Sequence, residues 1–148
     1  MTMATEMTVM SDEELLRAFE SCAIPASAFH HREHLRVTWL YLRRDGLAAG
    51  AHNMAEGIRR LARSHGHEDR YHETITRFWI HVVSLGMHDG SEAATSDDFV
   101  DQHPHILDKD LMGRHYSTGA IRSPAARAAF VEPDVRALPE LTFDTSKD

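Results

Sequence analysis

Phe29-His30-His31-Arg32-Glu33-His34-Leu35-Arg36-Val37-Thr38-Trp39-Leu40-Tyr41-Leu42-Arg43-Arg44 is the stretch whose pattern decides the fold. Leu35, Trp39 and Leu42 fall on one stripe of a helix, as a buried face requires. His31, His34, Thr38 and Tyr41 fall on the neighbouring stripe, each about one turn from the last. A second stretch, Tyr71-His72-Glu73-Thr74-Ile75-Thr76-Arg77-Phe78-Trp79-Ile80, repeats the arrangement, with His72 and Thr76 sharing a face with Ile75 and Trp79. Two helices that each set histidine beside core aromatics predict a polar pocket inside a helical bundle.

Working outward, Ser11-Asp12-Glu13-Glu14 reads as a capping box that opens a helix over about residues 12 to 22, with Leu15, Leu16 and Phe19 on one side. Pro25 ends it. The His31 helix runs to about Arg44, where Asp45-Gly46 stops it. A third helix spans roughly Leu47 to His65, turning Met54, Ile58 and Leu61 inward and Arg59, Arg60 and Arg63 to water. The fourth, about 71 to 86, carries Val82, Val83 and Leu85 until Gly86. Met87 to Thr95 is loop-like.

Ser96-Asp97-Asp98 then starts a short element through Gln102, which His103-Pro104-His105 breaks, and these two histidines are expected in an exposed loop. A further short helix is expected from Ile106 to His115. Ser123-Pro124 caps the last turns, Ala125 to Phe130, which Pro133 closes. No run of alternating β-branched residues occurs. The class is all-α: a bundle-like four-helix core with short helices and an irregular C-terminal segment. Residues 1–10 are expected as a disordered leader, 11–138 as a single domain, and 139–148 as a tail that wraps or frays.

The 148 residues fit one domain with its own core. No apolar run approaches the ~18 residues that span a bilayer, and Met1 to Met10 lacks the basic start and apolar centre of a secretory signal. A formal charge of -7 argues against a nucleic-acid partner. The single Cys22 excludes an internal disulfide and fits a reducing cytoplasm. Histidine is over-supplied, with 12 in the chain, which predicts sensitivity to pH near neutrality.

Imidazole nitrogen binds Zn, Fe, Mn, Ni and Cu, and a helix offers ligands at i, i+3 or i, i+4. His31 with His34 supplies the first spacing and His30 with His34 the second. His72, on a separate helix, would complete a three-histidine set for a divalent metal with one coordination position open. Glu73 points about 100° away from His72 on a helix, so it suits an outer carboxylate or general base rather than a ligand. Thr38, Tyr41 and Thr76 would line this pocket, Trp39 and Trp79 would exclude water, and Tyr116 would join from a cluster with Arg114, His115 and Ser117.

Two other readings fit the same residues. The histidines can bond backbone groups, with His72 a hydrogen-bonded core residue, or His34 or His72 can act as acid or base without a metal. Position 76 is threonine, so the zinc-protease His-Glu-x-x-His is absent. His65-Gly66-His67-Glu68-Asp69 lacks the adjacent His-Asp pair of phosphohydrolases, and no Gly-rich phosphate loop or Gly-x-Ser-x-Gly elbow occurs. Arginines of the C-terminal third either hold an anion in a pocket or tie that segment to acids such as Asp134.

The pattern His31-x-x-His34-Leu35-Arg36, then Trp39-x-Tyr41-Leu42, then Tyr71-His72-Glu73-Thr74-Ile75-Thr76, resembles a family of small, uncharacterised bacterial helical proteins. Tyr116-Ser117, Ser123, Ala126-Arg127 and Pro133-Asp134 resemble that family's C-terminal segment, so the resemblance runs from about residue 12 to 138. It implies that His31, His34, His72 and Glu73 form one site, with His30 an accessory. By architecture alone the arrangement is also similar to DinB-like bundles that hold a metal with three histidines, though the spacing differs. The expectation is a cytoplasmic enzyme whose metal acts on a small polar molecule as Lewis acid or metal hydroxide. Its rivals are a metal-free His/Glu acid–base enzyme of isomerase or lyase type, and a non-catalytic binding module that forms a homodimer through a helix face.

Overall fold

The computed structural model describes residues 10–88 and 92–139, so the expected leader before Met10 and the tail beyond Pro139 lie outside the described residues. Helix α1 is Asp12–Glu20. Its capping box forms as the sequence predicts: Glu14 N–H donates to Ser11 Oγ at 3.1 Å, and Ser11 N–H donates to the Glu14 carboxylate at 3.0 Å. Leu15 and Phe19 are fully buried on its inner face.

Helix α2 is His31–Ser64, broken at Gly46, where φ is 85° and ψ is 177°. Only glycine takes that conformation at ease, so the expected stop at Asp45-Gly46 is present as a sharp break rather than a loop. The two arms meet closely beyond it. A Cβ on Gly50 would lie 2.8 Å from the Tyr41 carbonyl oxygen, so backbone approaches backbone at that point. Phe19 then locks both arms. Its ring stacks on Phe29 at 5.5 Å, meets Tyr41 edge-on at 6.0 Å, and fills a notch at Gly57 where a Cβ would come within 2.4 Å.

Helix α3, Glu73–Met87, lays Phe78, Trp79, Ile80, Val82 and Val83 into the core. Helix α4, Ser96–Gln102, is capped by Thr95, and its Phe99 stacks on Trp39 at 6.0 Å. The single short helix expected over 106–115 is instead two 3₁₀ turns, Pro104–Leu107 and Lys109–Arg114. Asp108 divides them: its backbone is extended, and its carboxylate accepts the Asp110 N–H at 2.9 Å, starting a new turn. Helices α5, Thr118–Arg122, and α6, Pro124–Ala128, follow with Ser117 and Ser123 as N-caps. The last turns stop short of Phe130 because Ala129 is already extended.

The segment after α6 wraps rather than frays as far as it is described. Val135 N–H donates to the His115 carbonyl, and Thr74 Oγ1 donates to Ala129 O while accepting from Val131 N–H. Arg127 does tie this segment down, but to the carbonyls of Asp69 and Tyr71. Asp134 is held by the Ser117 N–H and hydroxyl. His103, expected in an exposed loop, is buried, its Nδ1 2.9 Å from Phe99 O and its ring against the Phe99 ring. The architecture is all-α, with no strand among the described residues and no helix there long and apolar enough to cross a membrane.

Arg36 is the polar hub of this packing. Its guanidinium is 3% exposed and donates to Ser96 Oγ at 2.7 Å and to the Met10 carbonyl at 2.6 Å, with Asp12 at 3.3 Å and Asp97 at 3.4 Å. It therefore joins the start of α1, the first arm of α2 and the start of α4. Arg36→Met should cost roughly 1–3 kcal/mol, because it leaves the buried Ser96 hydroxyl and the partly buried Asp12 and Asp97 carboxylates without their cation. Urea unfolding checks this, and a loss below about 1 kcal/mol, the worth of an exposed pair, would show that the hub is dispensable.

Candidate functional site

The break in α2 leaves its first turn facing α3, and this is where the site forms. His31 and His34 lie one turn apart on α2, and Ile75 and Trp79 lie one turn apart on α3, so both pairs project from single faces. Together with Phe29 and Lys109 they line a cavity of about 270 Å³, just under the usual size of small-molecule pockets. His30 stands at its rim, N-capping α2, where Glu33 reaches back to the His30 N–H at 2.9 Å.

The two histidines are held differently. His31 Nε2–H donates to the Ile106 carbonyl at 2.9 Å, and its ring meets Trp79 edge-on at 4.4 Å. That bond fixes the tautomer and leaves the lone pair on Nδ1. His34 makes no such bond. Its Nδ1 is cut off from solvent without a hydrogen-bond partner, and its nearest ring contact is the edge of Phe29 at 6.1 Å.

Electrostatics follow from this burial. Loss of solvent and the neighbouring His31 push the His34 pKa down to about 4, so the ring is neutral at pH 7. His31 also falls below the usual imidazole value. Burial lowers it most, the Ile106 bond opposes that, and the Lys109 charge adds to the fall. Among the described residues no carboxylate lines the cavity.

The expected three-histidine set is not assembled. His72 is the N-cap of α3: its Nδ1 accepts the Ile75 N–H at 3.1 Å, and its Nε2–H donates to Ile121 O at 2.8 Å. Its one lone pair is already in use. Among the described residues no group of three or more His, Cys, Asp or Glu is placed to hold a metal ion.

Glu73 also lies away from the cavity. Burial raises its pKa, but hydrogen bonds from Tyr71 at 2.6 Å and Arg77 at 2.8 Å, with the Arg77 and Arg59 charges, outweigh this and hold it below the usual glutamate value. A carboxylate so well partnered is a poor base.

Of the expected lining residues, the cavity contains Trp79 alone. Thr38 is fully buried and bonds back to the His34 carbonyl at 2.8 Å, while Thr76 is buried beside Tyr71. The Tyr41 hydroxyl donates to Glu20 at 2.7 Å, and burial raises its pKa. Trp39 packs on Phe99 beneath the Arg43 guanidinium. Tyr116 lines a second cavity of about 570 Å³ with Arg114 and Arg122, which meets the first at Lys109. Tyr116 donates to Val131 O, and burial pushes its pKa up to about 12. The Tyr116 and Ser117 hydroxyls of the larger cavity are thus bound into the fold, whereas the smaller one is lined by His34, whose Nδ1 has no partner among the described residues.

Lys109 and Phe29 carried no sequence signal for this role, since Lys109 sits in the irregular segment and Phe29 precedes the helix. No protein-family model matches the chain, and neither does any curated protein or solved structure.

Between pH 6.5 and about 4 the unfolded chain binds a proton at residue 34 that the folded chain refuses. The neutral-ring contribution is therefore fully present above pH 6.5 and should fall by roughly 3 kcal/mol as the pH drops to about 4. His31 adds in the same direction. Urea unfolding of the wild type and of His34→Leu over this range checks it: the variant should lose less stability on acidification. Parallel curves would overturn the assignment.

Proposed function

We propose that the cleft between the start of α2 and α3 binds a small, flat organic molecule, with His34 as its hydrogen-bonding and proton-exchanging group and without a metal ion. The observation that carries this is the unpartnered His34 Nδ1. Buried polar atoms in folded proteins are almost always hydrogen-bonded, and leaving one unpaired costs about 1–3 kcal/mol. Among the described residues no group repays that cost at His34. A ligand that engages the imidazole would.

The rest of the lining suits such a ligand. Trp79 and Phe29 present aromatic surface, Ile75 closes one side, and the fixed His31 offers a second neutral imidazole. A metal ion fits less well, because His72 is spent as a helix cap and the nearby Lys109 charge opposes a cation. A neutral His34 can accept a hydrogen bond from a hydroxyl or N–H, and it becomes an effective acid or base only when a bound group raises its proton affinity.

At pH 7.5, His34→Leu should be more stable than the wild type by about 1 kcal/mol, since an unpaired polar atom is replaced by an apolar one. Phenol, a flat hydroxyl donor, should shift the His31 and Trp79 NMR signals in the wild type and do so much less in the variant. A variant less stable than the wild type would mean that His34 has a structural partner, and the proposal would fall. One equivalent of metal retained by the wild type and lost in His31→Ala would replace it with the metal reading.

A further inference from the structure

Resting on that reading of the cleft, we infer that its ligand is an anion: a carboxylate, or a group of like charge, carried on a small aromatic body, with Lys109 as the charge partner. The titratable side chains of the lining are His30, His31, His34 and Lys109, all bases, in a chain whose formal charge is -7. Asp110 lines the second cavity rather than this one, and other carboxylates of these segments are engaged elsewhere. Glu33 bonds the His30 backbone at 2.9 Å, Asp108 caps the turn that begins at Lys109, and Asp97 and Asp101 pair with Arg32. Lys109 itself makes no ion pair with any described residue, although it sits on an exposed turn flanked in sequence by Asp108 and Asp110.

The geometry divides the ligand in two. Trp79, Ile75 and Phe29 take the flat apolar part, and the anionic end lies at the Lys109 side of the opening, where the second cavity begins, its charged lining being Lys109, Arg114 and Arg122 against the single acid Asp110. An anion there reverses the influence that Lys109 has on His31 and favours the protonated imidazoles, so His34 gains basicity only in the complex. The two imidazoles thus stay neutral beside the Lys109 charge when the cleft is empty and gain proton affinity when it is filled.

Benzoate and benzamide separate this inference from the reading beneath it, because they share a ring and differ in charge. At pH 7.5, titration followed by the His31 and Trp79 NMR signals should show benzoate binding roughly tenfold tighter than benzamide, the worth of one charge-assisted hydrogen bond. Lys109→Met should bring benzoate down to the level of benzamide, and Lys109→Arg should keep most of the difference. Lys109 is exposed, so neither variant threatens the fold. Equal binding of the two compounds, or a preference untouched by Lys109→Met, would overturn the anion inference while leaving the cleft in place. If neither compound shifts the signals, the inference fails as well, and the stability of His34→Leu then judges the cleft independently.

Discussion

A straight helix of the length of α2 would run about 51 Å, well beyond the diameter of a small domain. The break at Gly46, with its φ of 85°, is what allows this chain to have an interior. With the helix bent, Gly50 brings backbone against backbone and Gly57 admits the Phe19 ring, so α1 can clamp both arms at once. The first arm then presents one face to α1 and another to α3. His31 and His34 lie at the free start of that arm, where the bundle is not yet closed. The clamp reaches this end only through Phe29, which Phe19 stacks on and which forms one wall of the cleft.

Polar groups inside this interior are matched one by one, and the match shows what is unusual. Arg36 collects two carboxylates, a hydroxyl and a carbonyl. His72 spends one nitrogen on a helix cap and the other on Ile121. Thr74 gives and takes one bond each with the C-terminal segment, and Tyr41 and Tyr116 both find oxygen partners. Against that economy His34 stands out as the one buried side-chain nitrogen left unpaired among the described residues. A fold that satisfies a guanidinium so fully is not one in which an unpaired imidazole is easily read as loose packing.

The all-α class and the helix limits were legible because they rest on local rules: the Ser11 box, the Gly46 stop, the Ser123-Pro124 start and the apolar spacing of α3. The site was legible only by half. Periodicity tells which face a side chain lies on, not what it meets there, so His31 and His34 do line one cleft together while His72 lies apart from it as a helix cap. A histidine just before a helix can be a ligand or a cap, and the backbone N–H of Ile75, invisible in sequence, chose the cap. Arg36 had no mark of burial, because an arginine on a helix is usually solvated. Lys109 lay beyond any local rule, since only the path of the irregular segment carries it to α2.

The cost of the unpaired nitrogen bears on what kind of site this is. Proteins of this size have about 5–15 kcal/mol of stability in total, so an orphan worth about 1–3 kcal/mol is a substantial fraction. Desolvation that makes His34 a poor base in the empty cleft is the same desolvation that strengthens any interaction with a bound partner. On the proposed reading, a ligand and the ring would gain most from each other where water is already gone. A histidine tied to a backbone carbonyl, as His31 is, has half of this freedom. His34 has no partner for Nδ1 among the described residues, and on the proposed reading this is why the chemistry of the cleft is assigned to it rather than to its better-anchored neighbour.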